Sequence, residues 1–359
     1  MRICILIPSL SGGGAEFVAR EWASWLADKG HSVTAVTTIA DRKAPLTDGY
    51  AVVHLADSSL PSRIRSFRRL IVEEKFQVVV SLLPYFNIMA IAATRLLKHR
   101  PKILISGRNV EIPFPQVHGK RYRSTRAIAK LLYPRADAYV AISHPVAAEA
   151  AALYRIPIHK IFVVPNPATA KVDAGGTLYT KNNRDRNRRT LNIVVPARIV
   201  AQKRPEVALQ TALLCQQVFE DVTVHFFGVG ELQGEVESLA VEMSVPVEMH
   251  GWMEAWYEHI PADSVVLLPS LVEGFGNVLV EAAAVGIPSV VSSRCLGSAD
   301  AIVPGISGEL AMSDSPDAYA RAISKAFDLD MNYSKLWLKR FTASSSGTFL
   351  LQAMKEVLP

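Results

Sequence analysis

Cysteine is scarce in this 359-residue chain: Cys4, Cys215 and Cys295 are the whole set, and they lie far apart. An odd, sparse set gives no disulfide framework and no zinc-ligand spacing, and it suits a reducing compartment. No apolar run reaches the roughly 18 residues that a membrane-spanning helix needs. The first apolar run, ICILIPSL, has only Arg2 before it and passes into SGGG, not a small-residue cleavage site, so no signal peptide is expected. Low-complexity tracts and short-period repeats are also missing. There is no evident Ser-His-Asp or Cys-His set, which argues against a protein nucleophile. Clustered carboxylates of a metal site are lacking too.

What is present describes a folded protein. Half of the residues are hydrophobic and a fifth are charged, outside the range of disordered chains. The length suits two domains of roughly 150–200 residues. Charge is unevenly split. Residues 1–180 hold 24 Lys/Arg and 12 Asp/Glu, a net of +12, and the remaining 15 and 21 give −6, which sums to the +6 of the whole chain. A basic N-terminal half points to an anionic partner.

Strand and helix patterns alternate. RICILIPS, HSVTAVTT, AVVHLA, FQVVVSLL, KILISG, DAYVAIS and IFVVPNP read as strands, with helices over AEFVAREWASWLADKG and PSRIRSFRRLIVEEK. After the polar stretch KNNRDRNRRT the alternation restarts with LNIVVPARI, VTVHFFG, VPVEMHG, SVVLLPS and IPSVVSS. Continuous apolar strands separated by helices imply parallel sheets covered on both faces. The expected architecture is α/β: a Rossmann-like domain over 1–180, a linker over 181–190, a second Rossmann-like domain over 191–330, and a helical tail over 331–359. Open parallel sheets bind ligands at the carboxyl ends of their strands, so loops just after strands are the places to look for chemistry.

Five such loops stand out. Gly12, Gly13 and Gly14 precede a helix and suit either a phosphate cradle or a tight turn; the dinucleotide pattern would need glycine where Phe17 stands. Arg198 ends a strand, and Lys203 follows just before a helix beginning near Pro205. A fork donor and a point charge together suit a diphosphate, although two solvated cations would read the same way. Gly228 and Gly230 form a turn after a strand. His250 and Gly251 end another, where backbone could pass close to a flat ring. The fifth loop is EGFGNVLVEAAAVGIP, with Glu273 eight residues before Glu281. Here the amides of Gly276, Asn277 and Val278 would lie at a helix N-terminus, a ready anion site, with Gly286 as the stop. Glu273 can accept hydrogen bonds from sugar hydroxyls. Glu281, in a run of Val and Ala, is costly if buried unless it is paired, and a ribose diol would pair it.

EGFGNVLVEAAAVGIPSVVS resembles the E-x7-E signature of the retaining GT-B glycosyltransferases, family 4. SGGGAEFVARE, the PNP at 165–167, PARIVAQKRP, FGVGE and the HGW at 250–252 fall in that family's order. The resemblance implies two Rossmann-like domains facing across a cleft, with the tail over 331–359 packing back on the first. It also implies a metal-independent transfer from a nucleoside diphosphate sugar, with no cofactor. Arg198 and Lys203 would grip the donor diphosphate, Glu273 would contact the donor sugar, and Glu281 would hold the ribose. Gly274, Phe275, Gly276, Asn277 and Val278 would contact sugar and phosphate, and Gly228, Gly230, His250 and Gly251 would complete the donor site. Gly12 to Gly14 match a loop that closes over the phosphate. The family's usual histidine after an N-domain strand is replaced by the S-x-R-N of LISGRN. That variant resembles a subgroup building lipid-linked glycans from UDP-sugars, and it makes Arg108 and Asn109 acceptor or donor contacts, with Glu16 and Asn166. Arg204, where the family usually has glycine, adds a cation.

The expected activity is movement of a hexose or N-acetylhexosamine, from UDP by preference, to an undecaprenyl-diphosphate-linked acceptor in bacterial surface glycan synthesis. RIRSFRRLI and KRYRSTRAIAKLLYPR mix basic and apolar residues at helical spacing, the pattern of a helix on anionic lipid. A peripheral protein on the cytoplasmic face of the membrane is therefore expected. Aromatics do not interleave with the basic runs, so nucleic acid is not an expected partner. A sugar-nucleotide 2-epimerase of similar fold is the nearest rival, ahead of a dehydrogenase and a silent sugar-nucleotide binder.

Overall fold

The computed structural model describes residues 1–39, 49–95, 97–111, 120–174 and 190–358. The expected linker lies outside them except for its last residue, Thr190. The chain forms two compact units, one of Met1–Pro167 with Thr342–Pro359 and the other of Ala168–Phe341.

The first unit holds β1 (Arg2–Leu6), β2 (Ser32–Thr37), β3 (Ala51–His54), β4 (Val78–Leu82), β5 (Lys102–Gly107), β6 (Ala138–Ala141) and β7 (Ile161–Val163). They pair in the order β3-β2-β1-β4-β5-β6-β7, and every pairing is parallel. Every residue of β4 and of β6 is buried, as strands covered by helices on both faces require. Helix starts follow their sequence signals. Ser59 caps Leu60–Glu74 by accepting from the Ser62 amide, and Ser143 caps His144–Tyr154 by accepting from Val146, each with proline in the first turn.

The second unit holds β8 (Thr190–Val195), β9 (Asp221–Phe226), β10 (Val247–Met249), β11 (Ser264–Leu268), β12 (Ser289–Ser292) and β13 (Gly308–Ala311). Their order is β10-β9-β8-β11-β12-β13, again all parallel. Strand residues such as Ile193, Val224, Phe226, Val265 and Leu267 form its core with the helices Pro205–Cys215 and Pro316–Phe327. β13 is the strand the sequence pattern does not announce. GELA is four residues long and includes a glycine and a glutamate, too short and too polar for an apolar run to mark it.

The unit boundaries also differ from the expected ones. Residues 168–174 and 331–341 fall in the second unit, and only Thr342–Pro359 of the tail falls in the first. There the helix Ala343–Val357 lies on the helix Gly14–Asp28. The Trp22 indole donates to Ser346 Oγ at 2.8 Å, and that hydroxyl donates to the Pro165 carbonyl at 2.5 Å.

Candidate functional site

The carboxyl end of the second unit's sheet gathers most of the residues singled out above. β8 runs into Arg198, which is exposed. The chain then makes a short 3-10 turn, Ala201–Lys203, before the helix Pro205–Cys215. β11 runs into the loop 269–276. Two hydrogen bonds tie the turn to that loop: the Leu271 amide donates to Gln202 O at 2.9 Å, and Gln202 Nε2 donates to Val272 O at 3.0 Å. This pinning places Lys203 Nζ directly on Glu273 Oε1, which also accepts from Ser270 Oγ at 2.9 Å. Both side chains of the ion pair retain some solvent contact, 14% each. A cation and an anion thus meet at one strand end, four residues ahead of the helix Asn277–Ala284, whose N-terminal backbone amides favour negative charge.

Arg204 behaves otherwise than expected. Its Nε donates to Pro269 O at 2.7 Å and its Nη2 to Tyr319 Oη at 3.0 Å, with Asp314 at 3.7 Å. It is committed to bracing the loop 269–276 from behind, and it is not an added cation for a ligand.

Gly228 and Gly230 also have a packing role. A Cβ at Gly228 would collide with the Ala197 carbonyl, and one at Gly230 with the Ile199 carbonyl. The same segments are cross-bonded, Ile199 N to Val229 O at 3.2 Å and Leu232 N to Ile199 O at 3.1 Å. The two glycines therefore seat the loop that presents Arg198. Phe275 is buried with its ring 5.4 Å from that of Phe341, so its side chain faces the protein interior. Gly274 is buried, while Gly276, Asn277 and Val278 are partly exposed at the helix start. His250 lies flat on Phe227, with ring centres 4.2 Å apart and planes 6° apart, and Gly251 follows in the left-handed region at φ 73°.

Glu281 is only 2% exposed, so it does not sit on a solvated helix face. The protein pairs it internally: Trp256 Nε1 donates to Oε2 at 2.8 Å, and Lys171 Nζ stands 3.7 Å from Oε1. Burial pushes its carboxyl above the ordinary carboxylate range, opposed by the Lys171 charge and the Trp256 hydrogen bond.

The lower-ranked candidates gather in the first unit. Gly12, with φ 119°, and Gly13 lead into the helix that begins at Gly14 and carries Glu16 in its first turn. Arg108, just past β5, donates from Nη2 to the buried Asn166 Oδ1 at 2.8 Å. Its guanidinium carbon sits 5.6 Å from the Trp22 ring centre. Burial pushes that guanidinium down, while the Glu16 carboxylate opposes the shift. Nη1 is enclosed and without a hydrogen-bond partner among the described residues. Asn109 stays apart from this group. It is exposed, and its side chain accepts from the Val110 amide at 3.0 Å.

Sequence reasoning missed several residues of these sites. Lys171 and Trp256 are far from Glu281 along the chain, and no motif marks either of them. Gly297 gave no signal, yet a Cβ there would collide with the Glu273 carbonyl oxygen.

The comparisons with known proteins agree on the family. Residues 12–170 match the family model described as Glycosyltransferase Family 4, and residues 180–337 match Glycosyl transferases group 1. A curated relative, D-inositol 3-phosphate glycosyltransferase of Mycolicibacterium gilvum, is 31% identical over 167 residues, 42% of this chain and 37% of that protein. Lipopolysaccharide 1,6-galactosyltransferase of Salmonella typhimurium is 28% identical over 116 residues, 31% of this chain and 32% of that protein. The chain thus spans about a third of the length of such relatives. Among solved structures, the apo form of the lipopolysaccharide outer core galactosyltransferase WaaB matches with a TM-score of 0.77 at 20% identity, covering 100% of both chains. HepE of Anabaena in complex with UDP-glucose matches with a TM-score of 0.76 at 16% identity, covering 99% of each.

Proposed function

The chain belongs to the family 4, group 1 glycosyltransferases, and from that premise we propose that it transfers a hexose or N-acetylhexosamine from a UDP-sugar to a glycan hydroxyl with retention of configuration. The observation that carries the reading is the Lys203–Glu273 pair just ahead of the helix Asn277–Ala284, with Arg198 on the adjoining strand end. Lys203 and Arg198 neutralise charge as it develops on the leaving nucleoside diphosphate, the kind of preorganised stabilisation that dominates many enzymes. Glu273 orients the donor sugar by accepting its hydroxyls. Glu281 holds the ribose. A carboxylate has about four lone-pair positions, more than Trp256 and Lys171 occupy.

The acceptor hydroxyl attacks on the face the diphosphate leaves, and the donor β-phosphate takes its proton. No protein nucleophile, metal or cofactor takes part in that step. HepE's complex with UDP-glucose and the galactosyl transfers named for the lipopolysaccharide enzymes support the donor class. The 2-epimerase alternative draws no support from relatives named for transfer reactions.

The acceptor is a lipid-linked glycan, undecaprenyl-diphosphate-linked in a bacterium, and the protein works on the inner face of the membrane. No helix among the described residues is long and apolar enough to cross a membrane. In the helix Leu60–Glu74 the apolar positions Phe67 and Ile71 are buried in the protein. Arg68 there is spent on the carbonyls of Ala92, Ala93 and Arg95. The helix Lys120–Leu132 fits the surface role better, because Ile128 and Leu131 are exposed beside Lys130.

A panel of UDP- and GDP-sugars scored by thermal shift, followed by nucleoside diphosphate release with and without a glycan acceptor, tests the reading. Stabilisation by a UDP-sugar and acceptor-dependent release are expected, since ligands stabilise in proportion to affinity. Release that ignores the acceptor would favour the epimerase, and no response to any sugar nucleotide would sink the donor assignment.

A further inference from the structure

The outer edge of the second unit's sheet carries a polar cluster that shares only His250 with the expected donor contacts. His225 lies on β9 directly opposite Glu248 on β10, and His250 follows two residues further along. Side chains two apart on an extended chain share a face, so all three project to one side. Their ligand atoms converge. His225 Nδ1 stands 3.1 Å from His250 Nε2 and 3.4 Å from Glu248 Oε2, and His250 Nε2 stands 3.5 Å from the same oxygen. An ion held tetrahedrally by nitrogen and oxygen ligands at about 2.0–2.1 Å has edges of about 3.3–3.4 Å between them. The three separations cluster around that edge.

The neighbouring strand sets the orientation of the buried imidazole. Asn192 Nδ2 donates to Ala262 O at 2.7 Å, which turns the amide oxygen toward His225. His225 Nε2 then donates to that oxygen at 2.9 Å. With its proton on Nε2, a neutral His225 presents a lone pair at Nδ1 to a carboxylate oxygen. Two electron-rich atoms face one another at that spacing only if a cation or a shared proton lies between them. An imidazole held by an outer amide or carboxylate is the usual support of a metal-binding histidine. The stack on Phe227 fixes the plane of the His250 ring as well.

We propose that His225, Glu248 and His250 form a three-ligand site for a divalent transition cation of the zinc class, with a fourth position left for solvent. Two imidazoles and a carboxylate are a ligand set that zinc accepts. The ion would clamp the three-residue edge strand β10 to β9 and hold the His250 ring ahead of Gly251. The ion has no chemical step in transfer, and its binding is read without turnover, so a failure of the site is distinguishable from a failure of the proposed activity. The competing occupant is one proton, carried on His250 Nε2 and shared with His225 Nδ1 and Glu248 Oε2.

The full chain, stripped with a chelator and dialysed, is titrated with Co²⁺ while visible absorption is read, and with Zn²⁺ by calorimetry. One equivalent of each is expected to bind, with the intense d–d bands of a tetrahedral Co²⁺ centre and a rise in Tm with Zn²⁺. Glu248→Gln, at a side chain 59% exposed and so safe for folding, should weaken Zn²⁺ binding tenfold or more. Asn192→Ala should weaken it by about 10–100-fold, the usual cost of losing outer-shell support. No saturable binding, octahedral-type weak bands, or Zn²⁺ affinity unchanged in Glu248→Gln would each overturn the site and leave the shared proton as its occupant.

Discussion

Glu273 and Glu281 are eight residues apart and are held in opposite ways. Glu273 lies in a loop and keeps some solvent contact. Its partners, Lys203 and Ser270, come from strand ends of the same sheet. Glu281 is enclosed in a helix, and its partners come from the segments around Lys171 and Trp256. The difference lies in what each carboxylate can exchange. An ion pair that keeps solvent contact at both ends can exchange one partner for a ligand. A buried carboxylate left without its partners bears a desolvation cost. Glu273 therefore suits the donor contact proposed for it, whereas Glu281 also helps hold the second unit together.

The largest expected effect breaks the exchangeable side of this contrast. Lys203→Ala should lower kcat by about 10²–10³-fold, the cost of losing one aimed charge-stabilising donor, with a near-normal Tm. Steady-state assays of nucleoside diphosphate release check it, and near-wild-type turnover in the folded variant would remove Lys203 from the diphosphate. Next comes the enclosed side. Trp256→Phe deletes the donor to Glu281 Oε2 and should cost about 1–3 kcal/mol, read by denaturant melts. A double-mutant cycle with Glu281→Gln should recover part of that loss, and strict additivity would mean the two side chains do not couple.

A third prediction concerns pH. Burial raises the Glu281 carboxyl above its unfolded value, so the native state holds its proton more tightly. That contribution is full below about pH 4.3, the ordinary glutamate value, and is lost as pH rises through the raised value. Wild type should accordingly lose stability relative to Glu281→Gln across that window, and parallel stability–pH curves would contradict it. The smallest effect concerns the other unit. Ile128→Ser with Leu131→Ser should reduce binding to anionic vesicles several-fold at unchanged UDP-sugar affinity, since each buried CH₂ contributes about 0.8 kcal/mol. Undiminished vesicle binding would take the helix Lys120–Leu132 out of the membrane role.

Much of this contrast was legible in sequence, because it depends on local signals. Gly276 and Gly286 bracket the helix that carries Glu281, and the apolar run before Glu273 marks a buried strand. The apolar LNIVV marked the strand ahead of Arg198, and the proline at 205 marked the helix that starts after Lys203. What stayed hidden depends on packing between distant segments. No periodicity links Lys171 or Trp256 to Glu281, and nothing in KRP says that Arg204 turns inward to Pro269 and Tyr319. RIRSFRRLI has helical spacing whether its apolar stripe faces lipid or protein; Phe67 and Ile71 being buried decides for protein. The cluster of His225, Glu248 and His250 was equally invisible, because strand register, not chain spacing, brings His225 opposite Glu248 on β10, with His250 just past that strand's end.

The backbone contact between Gly297 and the carbonyl of Glu273 carries a practical consequence for redesign. Under the donor role proposed for Glu273, donor preference would be altered by transplanting the loop 269–276 from another family member. Here that loop rests on a residue more than twenty positions downstream, with no room for a methyl group between them. The transplantable module is accordingly discontinuous: the loop, the turn Ala201–Lys203 that it is bonded to, and the helix start at Gly297 have to travel together.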